Sequence, residues 1–238
     1  MKLVWCKFFS IMLAILLSVA LLIMAIQSVA FSRDFFNYQF RNNNINGKLG
    51  VSDEALNKIT EKLLGYIDGT YEDLDVSVTM HGRNVQVFNK KEKKHMADVK
   101  ELFGAVDLLK IICLVSSLAM LLLVAAILKK EAVNILAKYV LIGLAIFICF
   151  LLVIFIWTMV DFSSFWTVFH KLAFSNDLWM LDPLTDRLIV MLPESVFAAA
   201  VTNIGIRFFT SMVIVAVACT GAIFTNKYIK KAKERFGN

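Results

Sequence analysis

Two histidines are the side chains in this sequence best suited to proton transfer. His95 lies in the polar stretch KKEKKHMADVK, just ahead of a long apolar run, and His170 lies in the aromatic stretch DFSSFWTVFHKLAFS, which follows another apolar run. An imidazole with its ordinary pKa of about 6.5 can accept and donate a proton near neutral pH. The remaining histidine, His81, falls in a predicted hairpin turn, where we expect a surface residue.

Carboxylates accompany His95 at helical spacing. Glu92, His95 and Asp98 are three residues apart, so they share one face of a helix that we expect to continue without a break into the apolar run. Spacing alone is compatible with two interpretations. The face is either a solvated, charged helix end, which is the usual outcome for a charge run, or a functional surface that the helix carries to the membrane.

The segment around His170 is richer in polar groups than a connection between two spans requires. Its aromatic residues recur at helical spacing, which is typical of a helix at the lipid headgroups: Phe162, Phe165, Trp166 and Phe169. Anchoring at the lipid headgroups accounts for these aromatic side chains, but it does not account for the imidazole of His170. Polar residues follow at Asp177, Asp182, Asp186, Arg187 and Glu194. Pro193 suits a helix start near Glu194, which would place Arg207 at the outer edge of the hydrocarbon, where an ionisable side chain is a functional candidate.

The composition requires a membrane around these residues. Of the 238 residues, 59% are hydrophobic and 18% are charged, which is too apolar for a soluble domain. Apolar stretches at 8–31, 108–128, 139–160 and 206–225 are each long enough to cross a hydrocarbon core of about 30 Å. We therefore predict an α-helical membrane protein with four transmembrane helices.

The distribution of cations predicts the topology. Lys and Arg residues gather before the first span, in the 129–138 connection and in the 226–238 tail, and such residues are retained on the cytoplasmic side. Both termini are then cytoplasmic, and the segments 32–107 and 161–205 share the extracellular face of the cell membrane. The net charge of +6 reflects this topology, so no nucleic-acid partner is expected. We expect the first span to be retained, because its apolar run is longer than that of a signal peptide and lacks a convincing cleavage site.

The first extracellular segment predicts a small α+β cap. Asn and Gly residues at 42–50 indicate a linker, after which Ser52 can cap a helix that ends at Gly69. Alternating apolar residues on either side of 81–84 predict a short β-hairpin. All the cysteines lie in spans or at the inner edge: Cys6, Cys113, Cys149 and Cys219. Neither extracellular segment can therefore form a disulfide or supply a thiolate nucleophile.

The two histidine stretches resemble a known family. NKKEKKHMADVK and FHKLAFSNDLWMLDPLTDRLIVMLPESVF, with the four-span layout, are similar to the bacterial lipoprotein intramolecular transacylase family of Gram-positive bacteria. The resemblance covers essentially the whole chain. The family's first block usually begins with an acidic-arginine pair before the glutamate, whereas this chain has Lys90 and Lys91 there.

The resemblance implies a reaction and its partners. The family moves the acyl chain from the sn-2 ester of a diacylglyceryl-cysteine to the α-amino group of the same cysteine, which gives a lyso-form lipoprotein. The implied partners are a diacylated lipoprotein and membrane lipid, with no cofactor and no metal. The family's histidine pair carries over to His95 and His170 as the catalytic residues.

Several further residues are candidates for supporting roles. Glu92 or Asp98 would fix an imidazole tautomer or hold the substrate ammonium, and Lys171, Arg207 or backbone amides would stabilise an oxyanion. The second block also contains Trp179, Asp182 and Glu194. These three either contact the substrate or shape the loop, and we favour the second interpretation.

The residues fit this chemistry independently of the resemblance. One histidine can remove the proton from the attacking amine while the other protonates the departing glycerol oxygen. Because nucleophile and ester belong to one molecule, orientation replaces the entropy that a bimolecular reaction loses. No acyl-enzyme is needed, which suits a chain without a G-x-S-x-G motif.

Other classes of protein remain open at this point. Two histidines with nearby carboxylates could hold a divalent metal in a metal-dependent membrane hydrolase or a metal-sensing membrane protein. That signal is weak, because there is no H-E-x-x-H motif and His95 and His170 lie on separate segments. A transporter would need more intramembrane polarity, and a purely structural protein would not need two histidine blocks. All the catalytic readings require that the two imidazoles converge in space.

Overall fold

Helices make up most of the chain. The structure, a computed structural model, describes residues 1–236, apart from the side chains of Lys130 and Phe236. Residues 237–238 of the predicted cytoplasmic tail lie outside this description. In chain order the elements are α1 (Lys2–Ala30), α2 (Arg33–Asn42), α3 (Ile45–Leu49), α4 (Asp53–Ile67), β1 (Ser77–Met80), β2 (Arg83–Gln86), α5 (Lys90–Leu128), α6 (Ala132–Val160), α7 (Phe162–Ala173), α8 (Arg187–Met191) and α9 (Glu194–Phe236). A short 3-10 turn, Lys129–Glu131, joins α5 to α6.

Within residues 1–236, four helices are long and apolar enough to cross a membrane, namely α1, α5, α6 and α9. The predicted class, a multi-pass α-helical membrane protein, is confirmed. The helix α5 has 39 residues, and at 1.5 Å per residue it is about 58 Å long, well beyond a hydrocarbon core of about 30 Å. Its polar beginning, which carries His95, therefore precedes the span predicted at 108–128.

The described residues divide into two compact units. The first unit comprises Met1–Ala25, Leu108–Ile156 and 205–236, and the second unit comprises Ile26–Asp107 and Trp157–Ile204. Within the first unit, α1 and α6 approach closely at Gly143, where an added Cβ would lie 2.6 Å from Ala14 Cβ and 2.9 Å from Ile11 O. Small residues permit such backbone approach between membrane helices.

The second unit has a hydrophobic core of its own, built on α4 and the hairpin. Ser52 caps α4 by accepting a hydrogen bond from Ala55 N–H at 3.1 Å, and Leu56, Ile59 and Leu63 of that helix are buried. Strands β1 and β2 are antiparallel, with Met80 opposite Arg83 across the two-residue turn. The helix and the hairpin are both confirmed where the sequence predicted them.

The Asn- and Gly-rich stretch at 42–50 differs from the linker that was expected, because it folds into α3. Ile45 and Leu49 are four residues apart and both are buried in the core of the second unit. The turn-forming residues mark the ends of this helix: Asn44 has φ 50° and Gly50 has φ 65°. The turn signals were real, but burial of the two apolar side chains made the residues between them helical.

The two longer connections between spans, α1 to α5 and α6 to α9, both contribute to the second unit. Helix α8, which lies between α7 and α9, buries Leu188 and Met191 in the same core as α4 and the hairpin. Helix α9 begins at Glu194, directly after Pro193, as predicted. The second unit thus collects α4, the hairpin, α8 and the polar start of α5 around a common core.

Candidate active site

The rings of His95 and His170 lie side by side in the second unit. Their centroids are 6.2 Å apart with an angle of 35° between the ring planes, and each residue is only 6% exposed. The expected convergence of the two imidazoles is therefore confirmed. Two buried histidines at this distance form a site in which one small group can contact both rings.

His95 is positioned by the way α5 begins. Asn89 precedes the helix, and its side-chain oxygen accepts hydrogen bonds from Lys91 N–H at 2.8 Å and Glu92 N–H at 3.0 Å. In turn, the side chain of Glu92 accepts a hydrogen bond from Asn89 N–H at 2.7 Å. This reciprocal arrangement is a capping box. It fixes the first turn of α5, and His95 follows one turn later.

His170 is positioned by α7, and its tautomer follows from one hydrogen bond. Asp161 caps this helix by accepting from Ser164 N–H at 2.9 Å. Near its end, His170 Nδ1 lies 2.8 Å from the carbonyl oxygen of Trp166. Because a carbonyl oxygen can only accept, Nδ1 carries the proton. The other nitrogen, Nε2, then holds a lone pair whenever the ring is neutral.

Aromatic rings enclose the histidine pair. Trp179 packs against His170 with centroids 4.9 Å apart and the ring planes tilted by 31°. Trp166 contacts the same imidazole edge-on at 4.4 Å. Phe174 lies 5.2 Å from His95 and 5.7 Å from His170. An apolar enclosure of this kind strengthens electrostatic interactions and disfavours charge inside it.

The enclosure changes the acid-base behaviour of both histidines. Burial, reinforced by the proximity of His170, lowers the pKa of His95 to about 4, although Asp98 opposes the shift. Burial also lowers the pKa of His170 from its ordinary value, against the effect of the Trp166 carbonyl. Both rings are therefore neutral at neutral pH. Among the described residues His95 Nδ1 is buried without a hydrogen-bond partner, so it is available to a polar group of a substrate.

Glu92 contacts helix ends and not an imidazole. It is fully buried, and while Oε2 accepts from Asn89 N–H, Oε1 accepts from Leu188 N–H at 2.6 Å. Burial raises the pKa of Glu92 although these backbone hydrogen bonds oppose the rise. The carboxylate joins the start of α5 to the start of α8, which are distant in sequence.

The other candidate residues are dispersed. Asp98, beside His95 on α5, accepts a hydrogen bond from Asn176 Nδ2 at 2.9 Å. Lys171, Asp182 and Glu194 are exposed, and Asp182 Oδ1 accepts from Leu184 N–H at 2.9 Å within a turn. Arg207 belongs to the first unit, in α9. In the part of the chain that the structure describes, no three His, Cys, Asp or Glu side chains are grouped so as to share a metal ion.

Asp186 is a buried polar residue whose role no sequence pattern indicated. It is 3% exposed and accepts hydrogen bonds from Asn89 Nδ2 at 2.6 Å, Asp182 N–H at 2.8 Å and Thr185 Oγ1 at 3.2 Å. The N-x-x-E spacing of Asn89 and Glu92 is a recognisable sign of a helix start. No local pattern, however, indicates that Asp186 binds Asn89.

The fold and the site together define a multi-pass membrane protein with a buried, neutral histidine pair. A family model described as lipoprotein intramolecular transacylase Lit matches residues 11–197, which include both histidine blocks. The chain belongs to this family and is an acyltransferase. Comparison with curated proteins found no match.

Solved structures share the fold. The membrane-integral lipoprotein intramolecular transacylase Lit from Bacillus cereus is 16% identical, with a TM-score of 0.77 over 94% of this chain and 98% of that chain. A variant of the same Bacillus cereus protein with a histidine-to-alanine substitution is 15% identical, with a TM-score of 0.74 over 94% of this chain and 96% of that chain. A histidine-to-arginine variant is 16% identical, with a TM-score of 0.67 over 98% of this chain and 95% of that chain.

Proposed function

We propose that this enzyme moves the sn-2 acyl chain of a diacylglyceryl-cysteine lipoprotein to the α-amino group of the same cysteine, with His95 and His170 as the acid-base pair. One observation carries the proposal: two neutral imidazoles, with centroids 6.2 Å apart, lie next to each other inside an aromatic enclosure. Membership in the lipoprotein intramolecular transacylase family supports the substrate class.

The first step is removal of a proton from the substrate ammonium. An α-ammonium has a pKa of about 8 in water and cannot attack a carbonyl until it is deprotonated. Burial in the apolar enclosure disfavours its charge and lowers this pKa, which eases transfer to an imidazole. His170 suits the role of base because its Nδ1 proton is held by the Trp166 carbonyl, which leaves the Nε2 lone pair available.

The acyl transfer then exchanges one bond for another. The amine nitrogen bonds to the ester carbonyl carbon, the bond from that carbon to the glycerol oxygen breaks, and the glycerol oxygen takes up a proton. His95 suits the role of donor, because an imidazole with a pKa of about 4 releases a proton readily once it has received one. As the nitrogen bonds to the carbonyl carbon it loses a second proton to His170, and passage of that proton from His170 to His95 supplies the one that the glycerol oxygen gains. The proton taken from the ammonium in the first step leaves to solvent, so both imidazoles return to the neutral form.

The pairing of two imidazoles matches the geometry of the intermediate. The attacking nitrogen and the departing oxygen are both bonded to one carbon, so the two proton transfers take place within a short distance of each other. Because the nucleophile and the ester belong to the same molecule, holding the head of the substrate in one orientation provides most of the advantage that the enzyme needs.

We place the site at the extracellular face, with both termini in the cytoplasm. The clusters of Lys and Arg at 129–138 and in the tail support this orientation, and so does the length of α5, whose polar start must lie outside the hydrocarbon. In this proposed topology, the segments that cross the hydrocarbon core are residues 8–31, 108–128, 139–160 and 206–225. Labelling of introduced cysteines with an impermeant thiol reagent in intact cells tests this side assignment.

Substitution of each histidine by asparagine tests the catalytic assignment. His95→Asn and His170→Asn should each abolish formation of the lyso-form product, as judged by mass spectrometry of a purified diacylated lipoprotein. His81→Asn is the matched control, because His81 is exposed in the hairpin turn and has φ 49°, which asparagine tolerates. Full activity of the folded His95 and His170 variants would refute the assignment.

A further inference from the structure

The segment between α7 and α8, residues 174–186, carries the ring that covers His170. It contains no helix or strand, and we call it the tryptophan loop because Trp179 lies in it. Trp179 packs against His170 at a centroid distance of 4.9 Å with 31° between the planes. Something other than regular structure must therefore hold this loop in place.

Polar tethers on both sides of Trp179 attach the loop to α5. Before the tryptophan, Asn176 Nδ2 donates to Asp98 at 2.9 Å. After it, Lys91 Nζ donates to the carbonyl oxygen of Met180, the residue that follows Trp179. The last tether is Asp186, whose carboxylate accepts from Asn89 at the very start of α5.

Apolar burial contributes less than these polar tethers to holding the loop. Met180 and Leu184 are 49% and 92% exposed, whereas Leu181 packs partly against the core of the second unit. The Asp186 carboxylate, in contrast, is buried and lies 3.8 Å from Lys91 Nζ. Removal of such an acceptor would take a hydrogen-bond partner from both the Asn89 amide and the Asp182 N–H, in contacts that are part-buried, and a polar group left unpaired in this way destabilises the arrangement that holds it.

We propose that Asp186 is a positioning residue for the transacylation: it fastens the tryptophan loop to the start of α5 and so keeps Trp179 against the imidazole of His170. The idea rests on the proposed function in one respect, since it takes His170 to be a proton-transfer group. Asp186 does not contact either histidine. It acts through Asn89, which fixes the first turn of α5, and through the loop that carries Trp179.

The ionised state of Asp186 suits this role. Burial by itself would raise its pKa, but the hydrogen bonds from Asp182 N–H, Asn89 and Thr185, with the nearby Lys91 ammonium, outweigh burial and hold the pKa below the ordinary value. The carboxylate therefore stays charged at neutral pH. Hydrogen bonds to an ionised acceptor are stronger than those between neutral groups.

An exchange of the two partners tests the tether directly. Asp186→Asn keeps a single acceptor oxygen, so its amide N–H must face either the Asn89 amide or the Asp182 N–H, both of which donate to the Asp186 carboxylate. Asn89→Asp sets two carboxylates against each other across the 2.6 Å contact. The double variant Asn89→Asp with Asp186→Asn restores one donor and one acceptor with the direction of the bond reversed. An aspartate also remains a good residue to cap α5.

We expect each single variant to lower kcat about 10- to 100-fold, the size of effect that a small misplacement in an active site produces, and the double variant to recover most of the loss. KM should change less than kcat. Asp177→Asn is the matched control, since Asp177 is an exposed carboxylate in the same loop, and it should keep the activity of the parent enzyme.

A readout on His170 separates positioning from general stability. In protein labelled with ¹³C-histidine, the His170 signal should titrate at a higher pH in Asp186→Asn, because a released Trp179 admits water to a ring whose pKa burial otherwise lowers. The double variant should return the titration toward that of the parent. A loss of thermal stability with an unchanged His170 titration and kcat in the folded protein would overturn the proposal.

The same readout keeps this inference distinct from the catalytic proposal. If His170→Asn retains activity, the proposed function fails, yet the titration of His170 in the Asp186 variants still reports whether the tether exists. If His170→Asn is inactive while the Asp186 variants titrate and turn over like the parent enzyme, only the tether fails.

Discussion

Trp166 and His170 are joined by a hydrogen bond of 2.8 Å in which the imidazole Nδ1–H donates to the backbone carbonyl oxygen one turn earlier in α7. The helix therefore sets the tautomer of the histidine it carries, without help from a carboxylate. Fixing an imidazole tautomer was one of two roles predicted for Glu92 or Asp98, but both carboxylates bond to other groups. A neutral, oriented imidazole is what abstraction of a proton from an amine requires.

Opening the aromatic enclosure should change the pH dependence of the reaction. Because the pKa values of His95 and His170 are lowered from the ordinary value of about 6.5, both rings stay mostly neutral at pH 6.5, and we expect the acidic limb of kcat to lie at a lower pH than that. In Trp179→Ala, water reaches His170 and the pKa of that imidazole rises. The acidic limb of the kcat profile should therefore move to higher pH. Rate profiles from pH 4.5 to 8 with saturating substrate measure this movement, and an unchanged limb would contradict the enclosure.

The buried His95 should make the protein less stable in acid. Its folded-state pKa of about 4 lies below the unfolded value of about 6.5. The unfolded chain therefore binds the extra proton first, and stability falls as the pH drops from 6.5 towards 4, by up to about 3 kcal/mol. Thermal unfolding in detergent at pH 7 and pH 5 should show a smaller difference for His95→Asn than for the parent. An equal pH effect in both proteins would exclude His95 as its source.

Replacement of Glu92 by glutamine should destabilise the second unit. Both carboxylate oxygens accept hydrogen bonds from backbone N–H groups, and glutamine keeps one acceptor and turns a donor toward the other. We expect a loss of about 1–3 kcal/mol, seen as a lower unfolding temperature. Glu101→Gln, at an exposed position on the same helix, should leave the unfolding temperature unchanged, and an equal effect in both variants would contradict this role of Glu92.

Chelation discriminates the transacylase from the metal-dependent alternative. A proton relay between two imidazoles requires no divalent ion, so activity should survive dialysis against EDTA and should not rise when zinc is added back. The transacylation assay by mass spectrometry provides the measurement. A loss of activity on chelation that zinc reverses would instead favour a metal centre at His95 and His170.

The sequence by itself determined the features that local chemistry controls. Ser52 and the spacing of Leu56, Ile59 and Leu63 marked α4, and Pro193 marked the start of α9. The length and composition of the apolar runs gave four membrane helices. Caps, periodicity and hydropathy act over a few residues, so they can be read from the order of residues alone.

Tertiary structure alone decided which polar groups meet. The approach of His95 to His170, the bond from Leu188 N–H to Glu92 and the bond from Asn89 to Asp186 each join residues far apart in the chain. The same long-range packing turned Ile45 to Leu49 into a helix where the composition indicated a linker. The burial of a side chain, and with it its pKa and its hydrogen-bond partner, depends on every element packed around it, which no local pattern contains.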